Sequence, residues 1–437
     1  MNIRLIKEKI LSDREYIFAR KYEKRDFSFK ELPSMAVVIV GARRSGKTSW
    51  LRSHARTLIE KGLAKEKVCY LNFFESVEGI TIPLIEKAYY EMYPGFLNDN
   101  DVWFLLDEVQ NVENWGPGVS ILMDRHPCHV IITGSSAKYL SVDIANEMRG
   151  RALAYSFYPL SFPEFVRFNG VYINDHNGMY TIQEQNILSN MFSKYLGRGS
   201  YPALSSVEDE SLRNMVLNDY FDLAYSRDII DRFEVTKGTL LRRLLFRLVK
   251  NSGSPYTVAR LVHMLKSEGF STSADLISTY IEMIKNTKFM EEVEILGTET
   301  ERKRNPKKLY TIDHQMGVLF REFGYSEGIV LEHAVFSSLL RLGMNINYYR
   351  DENGYETDFV LSDTSMTPRA LVQVSLGLEE NKKREIRGLE SAMSTLGLKK
   401  GIIVTLDEEG HEERSSGEIE IVRGWRFLLN PKRYLDI

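Results

Sequence analysis

The stretch Met35-Ala-Val-Val-Ile-Val-Gly41-Ala-Arg-Arg-Ser-Gly46-Lys47-Thr48-Ser49 constrains this chain more than any other. An apolar, largely β-branched run leads into Gly-x-x-x-x-Gly-Lys-Thr, and a helical pattern follows from Thr48 to Lys61. Strand, glycine loop and helix in that order form a phosphate-binding unit. The loop must turn its backbone N–H groups inward, and glycine permits the tight turn and close approach that this needs. The following helix adds the positive end of its dipole. The spacing predicts that Gly41, Ala42, Arg43, Arg44, Ser45, Gly46, Lys47, Thr48 and Ser49 cradle a nucleoside triphosphate. Lys47 would neutralise the β/γ-phosphates, and the Thr48 hydroxyl would ligate Mg²⁺.

With 437 residues the chain has room for two or three domains, each with its own core. The longest apolar runs are strand-sized, well short of the roughly 20 residues of a membrane span. The charged N-terminus lacks the apolar core of a signal peptide. Cys69 and Cys128 are isolated within apolar segments, which suits buried free thiols. Together these features predict a cytoplasmic protein with no membrane partner. A net charge of −3 argues against a purely electrostatic nucleic-acid binder and confines any such contact to local basic patches.

Val102-Trp-Phe-Leu-Leu106-Asp107-Glu108 supplies the second half of the site. A strand buried on both faces reads as continuous apolar residues, and ligands gather at the carboxyl ends of such strands. Asp107 would hold Mg²⁺, and Glu108 would act as general base on the attacking water. A further strand, Cys128-His-Val-Ile-Ile-Thr133-Gly134-Ser135-Ser136, ends in hydroxyls that could reach the γ-phosphate. Ser135 is the first candidate and Thr133 the second, while a plain helix cap by Ser135 or Ser136 competes with both. After a short helix over Asp143–Met148, Arg151 is placed to act in trans on a neighbour's γ-phosphate, with a surface salt bridge as the alternative.

This order of strands, acidic pair, polar strand end and arginine resembles AAA-type ATPases. Phe157-Tyr-Pro-Leu-Ser-Phe-Pro-Glu-Phe165, Tyr195-Leu-Gly-Arg-Gly-Ser-Tyr-Pro-Ala203 and Gln110-x-x-x-x-Trp115 narrow the resemblance. They point to prokaryotic ATPases with a C-terminal domain of unknown function. The resemblance covers essentially the whole chain. It implies ATP and Mg²⁺ as cofactors, a ring-like homo-oligomer such as a hexamer, and a helical lid shaped by Gly197–Pro202. Arg227 would be a second nucleotide sensor or a helix-surface ion pair.

Four segments follow, all within the α/β class: an AAA-type P-loop core over 1–165, a helical lid over 166–235, a winged helix-turn-helix over 236–327 and a PD-(D/E)XK-like α/β domain over 328–437. Helices at Thr239–Lys250, Tyr256–Leu265 and Ser273–Asn286 precede two strands joined by a charged hairpin, the winged-helix order. Arg302, Lys303, Arg304, Lys307 and Lys308 of that wing would neutralise DNA phosphates; a spacer or a protein-docking surface is the competing reading. In the last segment Glu332, Asp358 and Gln373-Val-Ser375 fall where the nuclease fold keeps helix Glu, strand Asp and Glu-x-Lys. Gln373 and Ser375 replace a metal ligand and the catalytic lysine, so this segment reads as catalytically dead. A cryptic Mg²⁺ site at Glu332 and Asp358 is the alternative, and Lys382, Lys383, Arg384 and Arg387 form a modest basic cluster nearby. The leading expectation is an ATPase that binds or remodels DNA, branched forms included. A switch holding a protein partner comes second and an ATP-dependent nuclease last.

Overall fold

A computed structural model describes residues 3–19, 21–74, 79–135, 148, 150–174, 177–321, 327–379 and 382–437. The chain divides into two compact units, residues 1–158 with 286–288, and residues 159–285 with 289–437.

The first unit is a five-stranded parallel sheet in the order β2-β3-β4-β1-β5. Its strands are β1 (Ala36–Gly41), β2 (Val68–Asn72), β3 (Val102–Asp107), β4 (Cys128–Ser135) and β5 (Ala152–Ser156). The two-residue period of a strand divides β1 between two cores. Val38 and Val40 join Ile6 and Ile10 of helix α1 (Ile3–Glu15), with α3 (Ile82–Met92) and α4 (Trp115–Arg125) completing that layer. Val37 and Ile39 pack instead with Trp50 and Leu51 of α2 (Lys47–Glu60). Both faces of β1 and β3 are therefore buried, which explains their unbroken apolar sequence. Strand β5 has no such signature, because Ala-Leu-Ala-Tyr-Ser is only half covered and alternates weakly, whereas β2, the other edge strand, is buried over Val68–Leu71. The helix expected at Asp143–Met148 falls on residues outside the described ones, Met148 excepted.

The second unit begins with α5 (Phe162–Phe168), α6 (Ile182–Arg198), α7 (Glu210–Leu223) and a π-helical turn over Ala224–Ile230. Next come α8 (Gly238–Lys250), β6 (Pro255–Tyr256), α9 (Val258–Ser267), α10 (Ala274–Asn286), β7 (Met290–Ile295), α11 (Glu299–Arg304) and β8 (Lys307–Thr311). The rest is α12 (Glu327–Leu340), β9 (Asn345–Arg350), β10 (Glu356–Ser362), β11 (Pro368–Val374), α13 (Lys382–Leu396), β12 (Lys400–Thr405), β13 (Gly410–Arg414), β14 (Gly417–Arg423) and α14 (Gly424–Leu429). Nine strands form one mixed sheet, in the order β13-β14-β12-β11-β10-β9-β7-β8-β6.

That sheet runs across the expected boundary at 327/328. Strand β7 pairs in parallel with β9, Glu294 opposite Asn347 and Ile295 opposite Tyr348. The helical segment expected as a lid is also shared out. Phe162, Phe165, Phe192 and Tyr195 join the core of the C-terminal strands, whereas Leu217 and Phe221 join the α8–α10 cluster. Between β7 and β8 the charged hairpin is replaced by α11. Thr298 and Glu301 form a reciprocal capping box there, and Lys303 pairs with Glu299 at 2.6 Å.

Buried polar groups weld these pieces together. Asp313 accepts from the Ser200 backbone N–H and hydroxyl, and His314 and Gln315 reach the last carbonyls of α6, those of Tyr195 and Leu196. The Gly197–Pro202 motif is thus a docking turn held by Asp313. Nearby, His333 bonds Ser252 Oγ at 2.7 Å and the Ile329 carbonyl at 2.8 Å. Burial pushes the His333 imidazole down to about 3, so the folded chain holds it neutral while an unfolded chain protonates it near 6.5. Its contribution is full above that pH and falls by about 1.4 kcal/mol per unit as the pH drops below it. Denaturant unfolding of the second unit between pH 7 and pH 5 should show this loss, and His333→Gln should flatten the slope.

Candidate nucleotide site

The carboxyl ends of β1, β3 and β4 converge on one edge of the first sheet, where Gly41 lies opposite Ser135 in the register and Asn72 opposite Asp107. The glycine loop leaves β1 with Arg44 and Gly46 in the left-handed region, at φ 68° and 101°, and Gly46 caps α2. Gly41 is required by a close approach, because a Cβ there would stand 2.1 Å from the Phe157 carbonyl oxygen. The Lys47 ammonium, 4% exposed, folds back over the loop and donates to the carbonyls of Gly41 (2.7 Å) and Ala42 (3.0 Å).

Asp107 is fully buried at the end of β3 and accepts from every side: Thr48 Oγ1 at 3.2 Å, Asn72 Nδ2 at 2.6 Å, the Tyr70 hydroxyl at 3.4 Å and the Thr133 hydroxyl. Burial, then the charge of Glu108, raises its pKa above the usual carboxylate range, against the hydroxyls of Thr133 and Thr48 and the Lys47 ammonium. One hydroxyl and one carboxylate side by side suit Mg²⁺, which takes one or two protein oxygens and fills its remaining positions with phosphate and water. Among the described residues no cluster of three or more His, Cys, Asp or Glu could hold a metal.

Glu108 adopts a left-handed conformation, φ 55° and ψ 43°, costly for a residue with a long side chain. Its backbone N–H donates to Thr133 Oγ1 at 3.3 Å, and its carboxylate accepts from the Gln110 amide. Thr133, the second candidate for a γ-phosphate contact, is buried between Asp107 and Glu108 and orients them. Asn72, Tyr70 and Gln110 join the site beside the candidates above, Gln110 from the Gln110-x-x-x-x-Trp115 motif. Asn72 was legible as the end residue of a parallel strand, since all such ends meet at one edge.

Arg151 precedes β5, whose first residue pairs with Ala36, so it lies at the far end of the sheet from Gly41. Level with Met35, it stands six residues from Gly41, about 20 Å at about 3.3 Å per residue, which rules out a cis contact. Its guanidinium pairs with Asp124 at the surface.

In the second unit Lys307 pairs with Glu294 at 2.5 Å and Glu292 at 3.4 Å. Lys308 is 4% exposed and bonds Glu356 at 2.6 Å, with Asp358 at 3.9 Å. A buried, paired lysine cannot contact a DNA backbone, so Lys308 is corrected from wing contact to internal cation. Arg302, Lys303 and Arg304 sit on α11, with Lys303 tied to Glu299. Arg227 pairs with Asp231 at 3.0 Å within the π-helical turn.

Around Lys308 lie the nuclease-like positions. Glu332 accepts from the Tyr310 hydroxyl at 2.6 Å, and Asp358 accepts from the Val374 N–H at 2.9 Å. Gln373 spans the Asp358 N–H (3.1 Å) and Glu385 (2.7 Å), while Ser375 turns to the Gly377 carbonyl. Burial, then Glu332, pushes the Asp358 carboxyl up to about 8. Burial opposes the Lys308 charge, but Glu332, Asp358 and Glu356 together outweigh it and hold the ammonium protonated. The cation here is the protein's own.

The AAA domain family matches residues 33–166, and two domains of unknown function, DUF8612 and DUF4143, match residues 189–320 and 327–423. "Uncharacterized protein MJ1544" of Methanocaldococcus jannaschii is 30% identical over 439 residues, covering 97% of this chain and 95% of that one. An "Uncharacterized protein" of Haemophilus influenzae is 28% identical over 352 residues, 79% of this chain and 83% of its own length. Among solved structures, the Walker-type ATPase paby2304 of Pyrococcus abyssi is similar at 14% identity and a TM-score of 0.33, with 73% of this chain and 94% of that chain covered. Among the described residues no helix is long and apolar enough to cross a membrane.

Proposed function

Because the chain belongs to the AAA-type P-loop ATPases that carry a C-terminal domain of unknown function, we propose that it is a Mg²⁺-dependent ATP hydrolase whose turnover drives binding or remodelling of DNA. The observation that carries the hydrolase reading is the convergence of Lys47, Thr48, Asp107, Glu108 and Thr133 at one sheet edge. Residues Gly41 to Ser49 would wrap the phosphates with their N–H groups, and Lys47 would exchange its own loop carbonyls for phosphate oxygens. Thr48 and Asp107 would hold Mg²⁺, which when bound offsets phosphate charge. Thr133 and Asn72 keep Asp107 oriented. Glu108 takes the proton of the attacking water, and Gln110 aims its carboxylate. Ser135 stands beside Gly41 and would reach the γ-phosphate. Arg151 would complete a neighbour's site in a ring such as a hexamer, releasing Asp124 to do so.

For the load, α8 to α10 with β7 and β8 follow a winged-helix order. The exposed cations that suit phosphate there are Arg260 and Lys266 of α9 and Arg304 of α11. A second reading, a protein-binding switch, is favoured by a specific feature: the exposed face of α10 presents Asp275, Ser278, Thr279 and Glu282, with Glu282 paired to Lys285, a polar face that offers a phosphate no unpaired cation among its described residues. Nuclease chemistry is disfavoured, because Lys308 fills the carboxylate pocket. ATP turnover measured with single-stranded, duplex and branched DNA separates the two loads. Stimulation that weakens steeply with salt is expected for DNA. Turnover indifferent to all three would transfer the assignment to the protein-binding switch.

A further inference from the structure

We propose that Arg25 is a positioning residue for the phosphate loop, fastening the loop's backbone to the end of β5 where the chain leaves the first unit. The proposal rests on the ATP-hydrolase reading above. Arg25 lies in the extended stretch between α1 and β1, far ahead of the loop in sequence, yet it is only 8% exposed. One Nη donates to the Ser45 carbonyl at 3.0 Å and the other to the Tyr158 carbonyl at 2.7 Å. The guanidinium lies 4.6 Å from the centre of the Phe157 ring. Phe157 is itself tied to the loop's root, donating its N–H to the Val40 carbonyl at 2.7 Å.

The reason for this clamp follows from the loop's own geometry. A loop that aims its N–H groups at phosphate must turn carbonyls outward, and an outward carbonyl in a buried place needs a donor. Ser45 is fully buried and precedes left-handed Gly46, so its carbonyl is one of these. A planar guanidinium with two Nη groups can satisfy Ser45 and Tyr158 at once and stack on an aromatic face, where an ammonium offers a single point charge. The segment around Arg25 is itself anchored. Phe27 packs against Trp50 and Phe157 with ring centres 5.0 and 5.1 Å apart, and the Tyr155 hydroxyl bonds both the N–H and the carbonyl of Lys30. One planar guanidinium therefore ties the Ser45 carbonyl of the loop to the Tyr158 carbonyl.

The test uses the full chain and a fluorescent ATP analogue, with Arg25→Lys and Arg25→Met as variants. Losing hydrogen bonds to a charged donor should raise the Kd for the nucleotide by about tenfold in Arg25→Lys and about a hundredfold in Arg25→Met. Turnover at saturating ATP should stay within about threefold in Arg25→Lys, because a preformed loop serves ground-state binding and transition state alike. The nucleotide-free melting temperature should fall by no more than a few degrees in Arg25→Lys while the upward shift on adding nucleotide shrinks markedly. Wild-type affinity in both Arg25 variants would overturn the proposal. So would a loss of affinity matched by an equal fall in nucleotide-free melting temperature. A wild-type chain that binds no nucleotide would overturn the hydrolase reading itself, a result visible before any variant is made.

Discussion

Glu108→Gln is expected to lower ATP turnover by about 10²–10⁴-fold, the usual contribution of a positioned general base, while leaving ATP affinity close to wild type. The isosteric amide keeps the shape of the side chain and its contact with Gln110 but cannot accept the water's proton. Affinity should survive because the phosphate-holding groups, Lys47, Thr48 and the loop N–H groups, are untouched. The left-handed backbone of Glu108 adds a second, separable expectation. Such a conformation costs a non-glycine residue about 1–3 kcal/mol, so Glu108→Gly should be as inactive as Glu108→Gln yet at least as stable as wild type. A Glu108→Gly chain less stable than Glu108→Gln would show that the strain is not intrinsic to that backbone. Turnover unchanged in Glu108→Gln would remove Glu108 from the reaction.

Lys308→Met should destabilise the second unit by about 3–5 kcal/mol, the cost of leaving buried charge without its partner. Glu356, Asp358 and Glu332 all face the Lys308 ammonium, and Lys308 is nearly sealed from solvent. Without that cation the Glu356 carboxylate is left with no partner beside it, while Asp358, its carboxyl pushed up to about 8, already carries a proton at neutral pH. Hydrogen exchange at the backbone amides of β10 and β11, Val374 among them, should speed up by a hundredfold or more, as those strands carry the affected side chains. Adding Glu356→Gln to Lys308→Met should recover much of the loss, because a neutral amide no longer needs a counter-ion. Exchange unchanged in Lys308→Met would contradict the internal-cation account.

The nucleotide edge was readable because each of its parts is local. The glycine spacing, the apolar run of β3 and the acidic pair are contiguous, and a strand buried on both faces announces itself by composition. What escaped was non-local or half-exposed. Strand β5 is only half covered, and its sequence alternates weakly. Thr133 was legible as a hydroxyl at a strand end, but only the register of β3 beside β4 turns it toward Asp107. Arg25 carries no local signal, since its partners Ser45 and Tyr158 are distant in sequence. Lys308, at the end of the basic run from Arg302, misled for a related reason. Charge in sequence does not reveal pairing in space, and Glu292, Glu294 and Glu356 arrive from other strands. The capping signature Thr298-x-x-Glu301, a local signal for a helix in place of the hairpin, was present but unread.

The central claim is hydrolysis at the edge built from Lys47, Thr48, Asp107 and Glu108. It is tested most directly by phosphate release from ATP by the intact wild-type chain, measured with and without Mg²⁺ alongside the nucleotide retained per chain. The predicted result is repeated turnover only when Mg²⁺ is present, with Glu108→Gln retaining ATP and releasing almost no phosphate. A wild-type chain that holds ATP without ever releasing phosphate, or that hydrolyses it equally well without a divalent cation, would contradict the account.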